Sequence, residues 1–338
     1  MSSSDASATP PAELTLRSTH ARYARHTAHK LGYGFASLDG DDGYLFEVRD
    51  GARRVLFSAG AGSPYAFNRA HANAIARDKA FVHRVLSAQG LPTIPSRLFF
   101  ANDKRSAMRA PGREPKDALA FAQGAAFPLF CKPINGAQGA FAEVIHDRDE
   151  FARYVARVGE SYYAFVVQPV LKAPEHRVMV LGGEVLFGYE KIRPVLTGDG
   201  ERDVGALFQN AAAPNRNEGA LLDPAETMRA LDTQGRAYRR DDVPPSGVRL
   251  MLEGAANRAL GGGSSPPVAA PARNLAELAR ASVAALGLSF AAVDLFAGES
   301  GPVVIEINVN PAIKTLEDHG RWDLIETIWS ANFDAAFA

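Results

Sequence analysis

Short apolar runs rich in β-branched residues are the commonest pattern along this chain, and segments with helical spacing separate them. The short runs predict strands at residues 44–49, 53–58, 127–133, 143–145, 163–170, 177–181, 184–191, 293–296 and 303–309. The helical spacing predicts helices at residues 20–31, 68–89, 149–159, 204–210 and 275–286.

The last two predicted strands carry polar residues where hydrocarbon is expected. Gly298 and Gly301 bound the turn of a hairpin whose inward positions hold Asp294, Glu306 and Asn308. Burying two carboxylates without a cation costs several kcal/mol, so we expect their oxygens to face a hard metal ion, Mg²⁺. The alternative is a solvated hairpin edge on which acidic residues happen to alternate.

A second unusual segment is the apolar run 127–133, which contains Lys132 near its end. Such a strand would deliver an ammonium group to a site at its tip. The loop that follows, residues 134–140, contains Gly136 and Gly139, whose backbone N–H groups could approach an anion. It differs from a Walker A loop, because its lysine precedes the glycines and no Lys-Ser/Thr pair follows them.

Composition narrows the class of protein. A chain of 338 residues, 46% hydrophobic, suits two or three subdomains around a cleft. A formal net charge of −1 gives no broad attraction to nucleic acids or membranes. Cys131 is the single cysteine, which excludes an intrachain disulfide and favours a reducing, cytoplasmic location. Residues 1–12 are predicted to be a disordered tail, since they lack the basic start and apolar core of a signal peptide.

The composition of residues 198–270 shifts towards Gly, Pro, Asn and Arg, and this segment contains few apolar runs. We expect a partly ordered excursion over the active site here, because long irregular segments in compact enzymes are usually lids or substrate loops.

Several of these landmarks together resemble the ATP-grasp superfamily, in the branch of cyanophycin synthetase and of the glutathione-forming domain of bifunctional glutathione synthetases. The resemblance covers residues 66–320. It rests on the segments Ile75-Ala76-Arg77-Asp78-Lys79, Phe127-Pro128-Leu129-Phe130-Cys131-Lys132-Pro133, Gln168-Pro169-Val170-Leu171, Glu175-His176-Arg177-Val178, Gly198-Asp199-Gly200, Val293-Asp294 and Glu306-Ile307-Asn308.

The resemblance implies an α/β (α+β) fold in which two subdomains clasp ATP after a small N-terminal domain. The implied boundaries are 13–72 for the N-terminal domain, 73–125 for the central part, 126–170 for the lid, and 171–338 for the C-terminal subdomain with a substrate insertion at 198–270.

The same resemblance implies roles for the nucleotide-binding residues. Lys79 and Lys132 would bind the α- and β-phosphates, and Glu175 would accept hydrogen bonds from the ribose. Adenine would bind along a strand hinge at residues 168–171. Family members usually have an acid where Gln168 stands, and an amide can both donate to adenine and accept from it. The full predicted set is Lys79, Lys132, Gly136, Gly139, Gln168, Val170, Leu171 and Glu175.

The resemblance also implies metal-binding and catalytic residues. Asp294, Glu306 and Asn308 would hold one or two Mg²⁺ ions, with Mn²⁺ as the alternative. Cations on neighbouring strands would stabilise charge on the transferred phosphoryl group. An asparagine before a glycine pair would lie near the phosphates or the acceptor. These catalytic residues are Arg177, Lys191, Arg193 and Asn257.

The implied activity is that of an ATP-dependent carboxylate–amine ligase, an acid–amino-acid ligase that forms an amide or peptide bond through an acyl phosphate. Its partners would be a small carboxylate and an amine, with no nucleic acid and no membrane, and a homo-oligomer is one of the states open to it. Two alternatives stay open, a small-molecule kinase of the same architecture and a nucleotide-binding module without chemistry.

Overall fold

The computed structural model describes residues 15–60, 62–136, 139–212, 225–254 and 261–338. The described residues form two compact units, one of residues up to 67 together with 312–338, and one of residues 68–311. Helices and antiparallel sheets occur in both units, which confirms the predicted α/β fold class. Within the described ranges, no helix is long and apolar enough to cross a bilayer.

The regular elements have the following bounds. The helices are α1 Thr19–Lys30, α2 Ala70–Ala76, α3 Lys79–Ala88, α4 Pro115–Gly124, α5 Arg148–Ser161, α6 Val204–Ala212, α7 Arg273–Ala285, α8 Lys314–Asp318 and α9 Trp322–Phe337. The strands are β1 Gly34–Ser37, β2 Leu45–Asp50, β3 Arg53–Ser58, β4 Arg97–Phe100, β5 Leu129–Pro133, β6 Glu143–Ile145, β7 Ala164–Pro169, β8 Glu175–Leu181, β9 Glu184–Ile192, β10 Val195–Thr197, β11 Arg229–Asp232, β12 Ala237–Arg239, β13 Arg249–Leu252, β14 Gly263–Ser264, β15 Phe290–Gly298 and β16 Gly301–Asn308.

The smaller unit is built on the three-stranded antiparallel sheet β1-β2-β3. Trp329 of α9 is fully buried in this unit. Its ring centroid lies 6.2 Å from those of Phe46 on β2 and Phe57 on β3. The aromatic contacts therefore fix the C-terminal helix on the sheet of the N-terminal residues.

The predicted single helix at 68–89 is wrong, because the chain breaks between α2 and α3. Asp78 has an extended conformation, and its carboxylate accepts hydrogen bonds from the backbone N–H groups of Ala80 and Phe81 at 2.8 and 3.1 Å. An aspartate in this position begins a new helix by satisfying N–H groups that have no partner within the helix. Lys79 is consequently the first residue of α3.

The described residues of the larger unit form three antiparallel sheets. The sheet β4-β7-β5-β6 packs against α4 and α5, and the five-stranded sheet β14-β9-β8-β15-β16 packs against α7. The third sheet, β10-β13-β11-β12, packs against α6. Each sheet has its own cluster of buried apolar side chains.

The described part of 198–270 is more regular than predicted. The helix predicted near 204–210 is confirmed as α6, but three strands of the third sheet were not predicted. They bury Ala230, Tyr238 and Leu250 together with Phe208 of α6. The strands are only three or four residues long, so they give little alternating pattern in the sequence.

The five-stranded sheet has one apolar face and one charged face. Successive side chains of a strand point to opposite faces. Val178, Val293 and Ile307 pair across β8, β15 and β16 and join the core formed with α7. The neighbouring positions on the same strands, which lie on the opposite face, carry the charged residues that form the candidate site.

Candidate functional site

Three neighbouring strands place charged residues in one row. Arg177 of β8 lies opposite Asp294 of β15, which lies opposite Glu306 of β16. The predicted hairpin is thus confirmed, with Gly298 paired to Gly301 at its turn. Asp294 has no exposed surface, so the alternative of a solvated edge does not hold at this position.

Asp294 accepts hydrogen bonds from two cations. The guanidinium of Arg177 binds it in bidentate fashion, with Nε 2.6 Å from Oδ1 and Nη2 2.8 Å from Oδ2. Lys191 Nζ lies 3.3 Å from Oδ2 and also pairs with Glu175. Burial lowers the pKa of Arg177, but the charge and hydrogen bonds of Asp294, together with the charges of Tyr189 and Glu306, outweigh burial and raise this pKa well above its usual value.

Glu306 meets a second group of side chains. Lys79 Nζ lies 3.7 Å from Glu306 Oε2 and donates to the carbonyl of Gly136 at 3.0 Å. Asn308 Nδ2 donates to Glu306 Oε1 at 3.2 Å. Burial raises the pKa of Glu306, whereas Lys79, Lys132, Lys191 and Arg177 lower it, and the net pKa lies below the usual value. Glu306 is therefore ionised at neutral pH.

Lys132 is the most unusual charge of the site. It is only 5% exposed on β5, and no described residue forms an ion pair or hydrogen bond with its ammonium. Burial lowers the pKa of Lys132 to about 8, although the charges of Glu306, Glu175 and Asp294 partly oppose this. Its Nζ lies 5.7 Å from the ring centroid of Phe130 on the same strand. A buried ammonium without a direct partner is costly unless an anion binds there.

We call these side chains the charge cluster, and cations outnumber carboxylates in it. Its members are Lys79, Lys132, Glu175, Arg177, Lys191, Asp294 and Glu306. An excess of positive charge in a buried site favours an anionic ligand.

The strand hinge lies beside a cavity. Gln168 is the buried penultimate residue of β7, and Val170 and Leu171 follow the strand. The three residues help to line a cavity of about 660 Å³ together with Pro95, Ser96, Arg97, Phe121, Ala126, Pro128, Leu129, Val167, Pro169 and Lys172. These described lining residues are mostly apolar and include no member of the charge cluster.

Sequence reasoning missed His83, which contacts this hinge. His83 lies on α3, four residues after Lys79, and is buried. Gln168 Nε2 lies 3.1 Å from His83 Nε2 and 2.6 Å from Ser96 Oγ, and His83 Nδ1 is hydrogen-bonded to Thr93 Oγ1. Burial, followed by the charge of Lys132, lowers the pKa of His83 to about 4. The one available signal was its place one helical turn after a predicted phosphate-binding lysine.

Some predicted site residues stay outside this arrangement. Arg193 follows the last residue of β9, and no hydrogen bond or ion pair joins it to a described member of the charge cluster. Gly139 has a φ of +81°, which suits glycine, and its carbonyl accepts a hydrogen bond from the backbone N–H of Ala142 at 3.0 Å. Asn257 lies outside the described residues.

The predicted metal ligands lie close together, but one of the three, Asn308, is an amide and not a carboxylate. Among the described residues, no three His, Cys, Asp or Glu side chains form a group that could hold a metal ion. Asp294 and Glu306 supply carboxylates, and Asn308 supplies the third oxygen. This metal set stays a prediction.

The chain is similar in sequence to cyanophycin synthetases. It is 25% identical to that of Nostoc sp. over 256 residues, which cover 71% of this chain and 27% of the relative. It is 25% identical to that of Synechocystis sp. over 203 residues, which cover 56% of this chain and 23% of the relative. The chain thus spans about a quarter of the length of the curated relatives it matches. No known protein-family model matches the chain.

Solved structures give weaker similarities. The bifunctional glutathione synthetase from Pasteurella multocida is 19% identical, with a TM-score of 0.49 over 92% of this chain and 43% of the other. The D-alanine–D-alanine ligase from Bacillus anthracis is 16% identical, with a TM-score of 0.47 over 79% and 72%. The sequence comparison confirms the predicted resemblance of this chain to the cyanophycin synthetases, the branch of the ATP-grasp superfamily named from its motifs.

Proposed function

We propose that this protein is an ATP-dependent carboxylate–amine ligase that joins an amino acid or small peptide to an amine through an acyl phosphate. The observation that carries the proposal is that Lys132 is buried, without an ion-pair or hydrogen-bond partner among the described residues, in a cluster where cations outnumber carboxylates. Such a site is suited to the phosphates of a nucleotide. The sequence similarity to cyanophycin synthetases supports the same conclusion.

The chain's own groups would divide the nucleotide between them. Lys79 and Lys132 would bind the phosphates, assisted by the backbone N–H groups near Gly136 and Gly139. The hinge at Gln168, Val170 and Leu171 would bind adenine. Glu175 would accept hydrogen bonds from the ribose while Lys191 holds its carboxylate in place.

Asp294, Glu306 and Asn308 fit Mg²⁺ by the chemistry of their donors. A carboxylate offers about four acceptor positions. Arg177 and Lys191 take three of those on Asp294, and Glu306 accepts only one hydrogen bond from the described residues, from Asn308. Oxygen donors therefore remain for one or two hard cations, with Mn²⁺ as an alternative. When bound, the metal would neutralise charge on the β- and γ-phosphates.

The proposed reaction has two steps. A substrate carboxylate oxygen attacks the γ-phosphorus of ATP, the bond to the β–γ bridging oxygen breaks, and ADP leaves. The amine nitrogen then attacks the acyl carbon, the bond to the phosphate oxygen breaks, and phosphate leaves as the amine loses a proton. Arg177 and Lys191 would stabilise the charge on the transferred group, and Arg193 and Asn257 are proposed to contact phosphate or acceptor.

The test is a screen of amino-acid and peptide pairs with MgATP, measuring phosphate release and product mass. We expect phosphate release only when both a carboxylate and an amine are present. Asp294→Ala and Glu306→Ala should abolish turnover while circular dichroism still shows a folded protein. Turnover that survives both substitutions would contradict the proposal.

The screen also separates the two alternatives. A small-molecule kinase would release ADP and form a phosphorylated acid without any amine. A binding module would bind ATP and release nothing with any pair. Strict dependence on the amine excludes both.

A further inference from the structure

Four polar residues at the hinge form a continuous chain of hydrogen bonds. We call Ser96, Gln168, His83 and Thr93 the hinge relay. Ser96 Oγ lies 2.9 Å from the carbonyl of Ile94, and at the other end Thr93 Oγ1 lies 3.2 Å from the carbonyl of Val304. Val304 belongs to β16, the strand that carries Glu306. The relay therefore connects β7, α3 and β16.

The two ends of the relay fix the direction of its hydrogen bonds. A carbonyl oxygen can only accept, and a hydroxyl has a single proton. Ser96 therefore donates to Ile94, and Thr93 donates to Val304. Both hydroxyl oxygens are then acceptors towards the interior of the relay. Gln168 must donate to Ser96, and His83 must donate to Thr93.

The remaining contact follows from the protons of His83. Its lowered pKa of about 4 makes the imidazole neutral near pH 7, so the ring has one N–H. That proton is on Nδ1, which faces Thr93, and Nε2 is therefore an acceptor. Gln168 donates to it from Nε2, as it does to Ser96. Both N–H bonds of the amide are used, and Oε1 takes no hydrogen bond from another described residue.

The opposite arrangement is less favourable by simple counting. If Gln168 Oε1 faced Ser96 and His83, both partners would have to donate to it. Ser96 would lose its bond to Ile94. His83 would carry its proton on Nε2, and Thr93 would have to turn away from Val304 to donate to Nδ1. Two bonds to backbone carbonyls would be lost and none gained.

We propose that the hinge relay makes Gln168 an acceptor only, so that the site selects a purine nucleotide with an exocyclic 6-amino donor over one with a 6-oxo group. His83 and Thr93 are positioning residues in this proposal. It rests on the proposed nucleotide function and adds the reason why a neutral amide, which in principle donates and accepts, recognises one base. Gln168 is one of the residues that line the cavity at the hinge, and in this proposal its Oε1 accepts from a base bound there.

The test measures, by calorimetry in the presence of Mg²⁺, the affinities of the wild type and of two variants at Thr93 for ATP and for inosine triphosphate. Thr93→Val removes the acceptor of the His83 Nδ1 proton and keeps the shape of the side chain. It should move the proton to Nε2, turn the Gln168 amide and narrow the preference for ATP by about tenfold, the size of one hydrogen bond. Thr93→Ser keeps the hydroxyl and should retain the wild-type ratio. An unchanged ratio in Thr93→Val would overturn the proposal.

A second measurement determines which ring nitrogen of His83 is protonated in the protein without nucleotide. In protein labelled with ¹⁵N-histidine, the His83 signals, assigned from their absence in His83→Gln, should show a protonated Nδ1 in the wild type and in Thr93→Ser, and a protonated Nε2 in Thr93→Val. A protonated Nε2 in the wild type would overturn the relay while leaving the proposed function intact. Wild-type protein that binds neither nucleotide would overturn the proposed function, and the base selectivity with it.

Discussion

The charge cluster and the hinge relay each have a member on α3, Lys79 and His83, but they work by different physics. The charge cluster consists of buried ions whose interactions are strong, long-ranged and sensitive to pH. The hinge relay consists of neutral groups whose hydrogen bonds are short-ranged and directional. Both reach β16, the first through Glu306 and the second through Val304.

Because of this difference, the charge cluster should determine the affinity for nucleotides and the hinge relay should determine the selectivity between bases. Phosphates are the same in every nucleoside triphosphate, so a cluster of cations can hold them tightly without reading the base. A relay that fixes the direction of one amide discriminates between bases and adds little affinity. Substitutions in the two regions should therefore have distinct signatures.

The largest expected effect is on stability, from Asp294→Asn. The amide would leave Arg177 and Lys191 buried without their carboxylate, and breaking such a pair costs about 3–5 kcal/mol. Urea unfolding measures the loss. Asp241→Asn is the control, because its side chain is 90% exposed and the substitution should change stability by less than about 0.5 kcal/mol. Equal stability of Asp294→Asn and the wild type would show that the ion pairs do not hold the sheet together.

The next effect is on ATP affinity, from Lys132→Ala. Loss of a buried charge that binds phosphate should weaken binding by roughly a hundredfold, or about 3 kcal/mol. Calorimetry with MgATP measures the affinity, and circular dichroism checks that the protein is folded. Lys104→Ala, at an exposed lysine, should bind like the wild type. Unchanged affinity in Lys132→Ala would refute its role in binding phosphate.

The pH dependence of ATP affinity should be smaller. The protonated ammonium of Lys132 binds phosphate, and burial lowers the pKa of Lys132 from its usual value to about 8. The free protein therefore loses this proton between pH 7 and 9, and affinity should fall by about tenfold over that range. Lys132→Arg keeps its charge throughout and should show a flatter profile. A wild-type profile that stays flat would contradict the assignment of charge.

A change in salt concentration should have the smallest effect on nucleotide affinity. Raising the salt concentration screens the charge cluster, so the affinities for ATP and inosine triphosphate should fall together by a few-fold. Their ratio should stay constant, because the hinge relay is neutral. An affinity ratio that changes with salt would mean that charged groups also contribute to the selectivity between bases.

The hairpin could be predicted from the sequence because charged residues stand at positions where apolar residues are expected. Asp294 and Glu306 interrupt two β-branched strands, and buried carboxylates require nearby cations, so the residues pointed to the site by themselves. Lys132 gave the same kind of signal at the end of an apolar run. The bidentate pair between Arg177 and Asp294 was not predicted, because it depends on the register of β8 against β15.

The features that were not predicted show no such mismatch between a residue and its expected environment. The strands β11, β12 and β13 are too short and too rich in arginine to show alternation, and their core forms only when α6 packs on them. The break at Asp78 carried a capping residue, but the apolar pattern continued across it. The hinge relay depends on side chains that are 85 residues apart, His83 and Gln168, and no local pattern joins them.

Hydrogen–deuterium exchange with and without MgATP tests whether a nucleotide binds at the charge cluster and the hinge. We expect slower exchange on binding in four segments at once, residues 129–136, 164–171, 175–181 and 290–308. The sheet of the smaller unit, residues 45–58, should exchange at the same rate in both conditions. Protection confined to other segments, or none at saturating MgATP, would contradict a nucleotide site at the charge cluster and hinge.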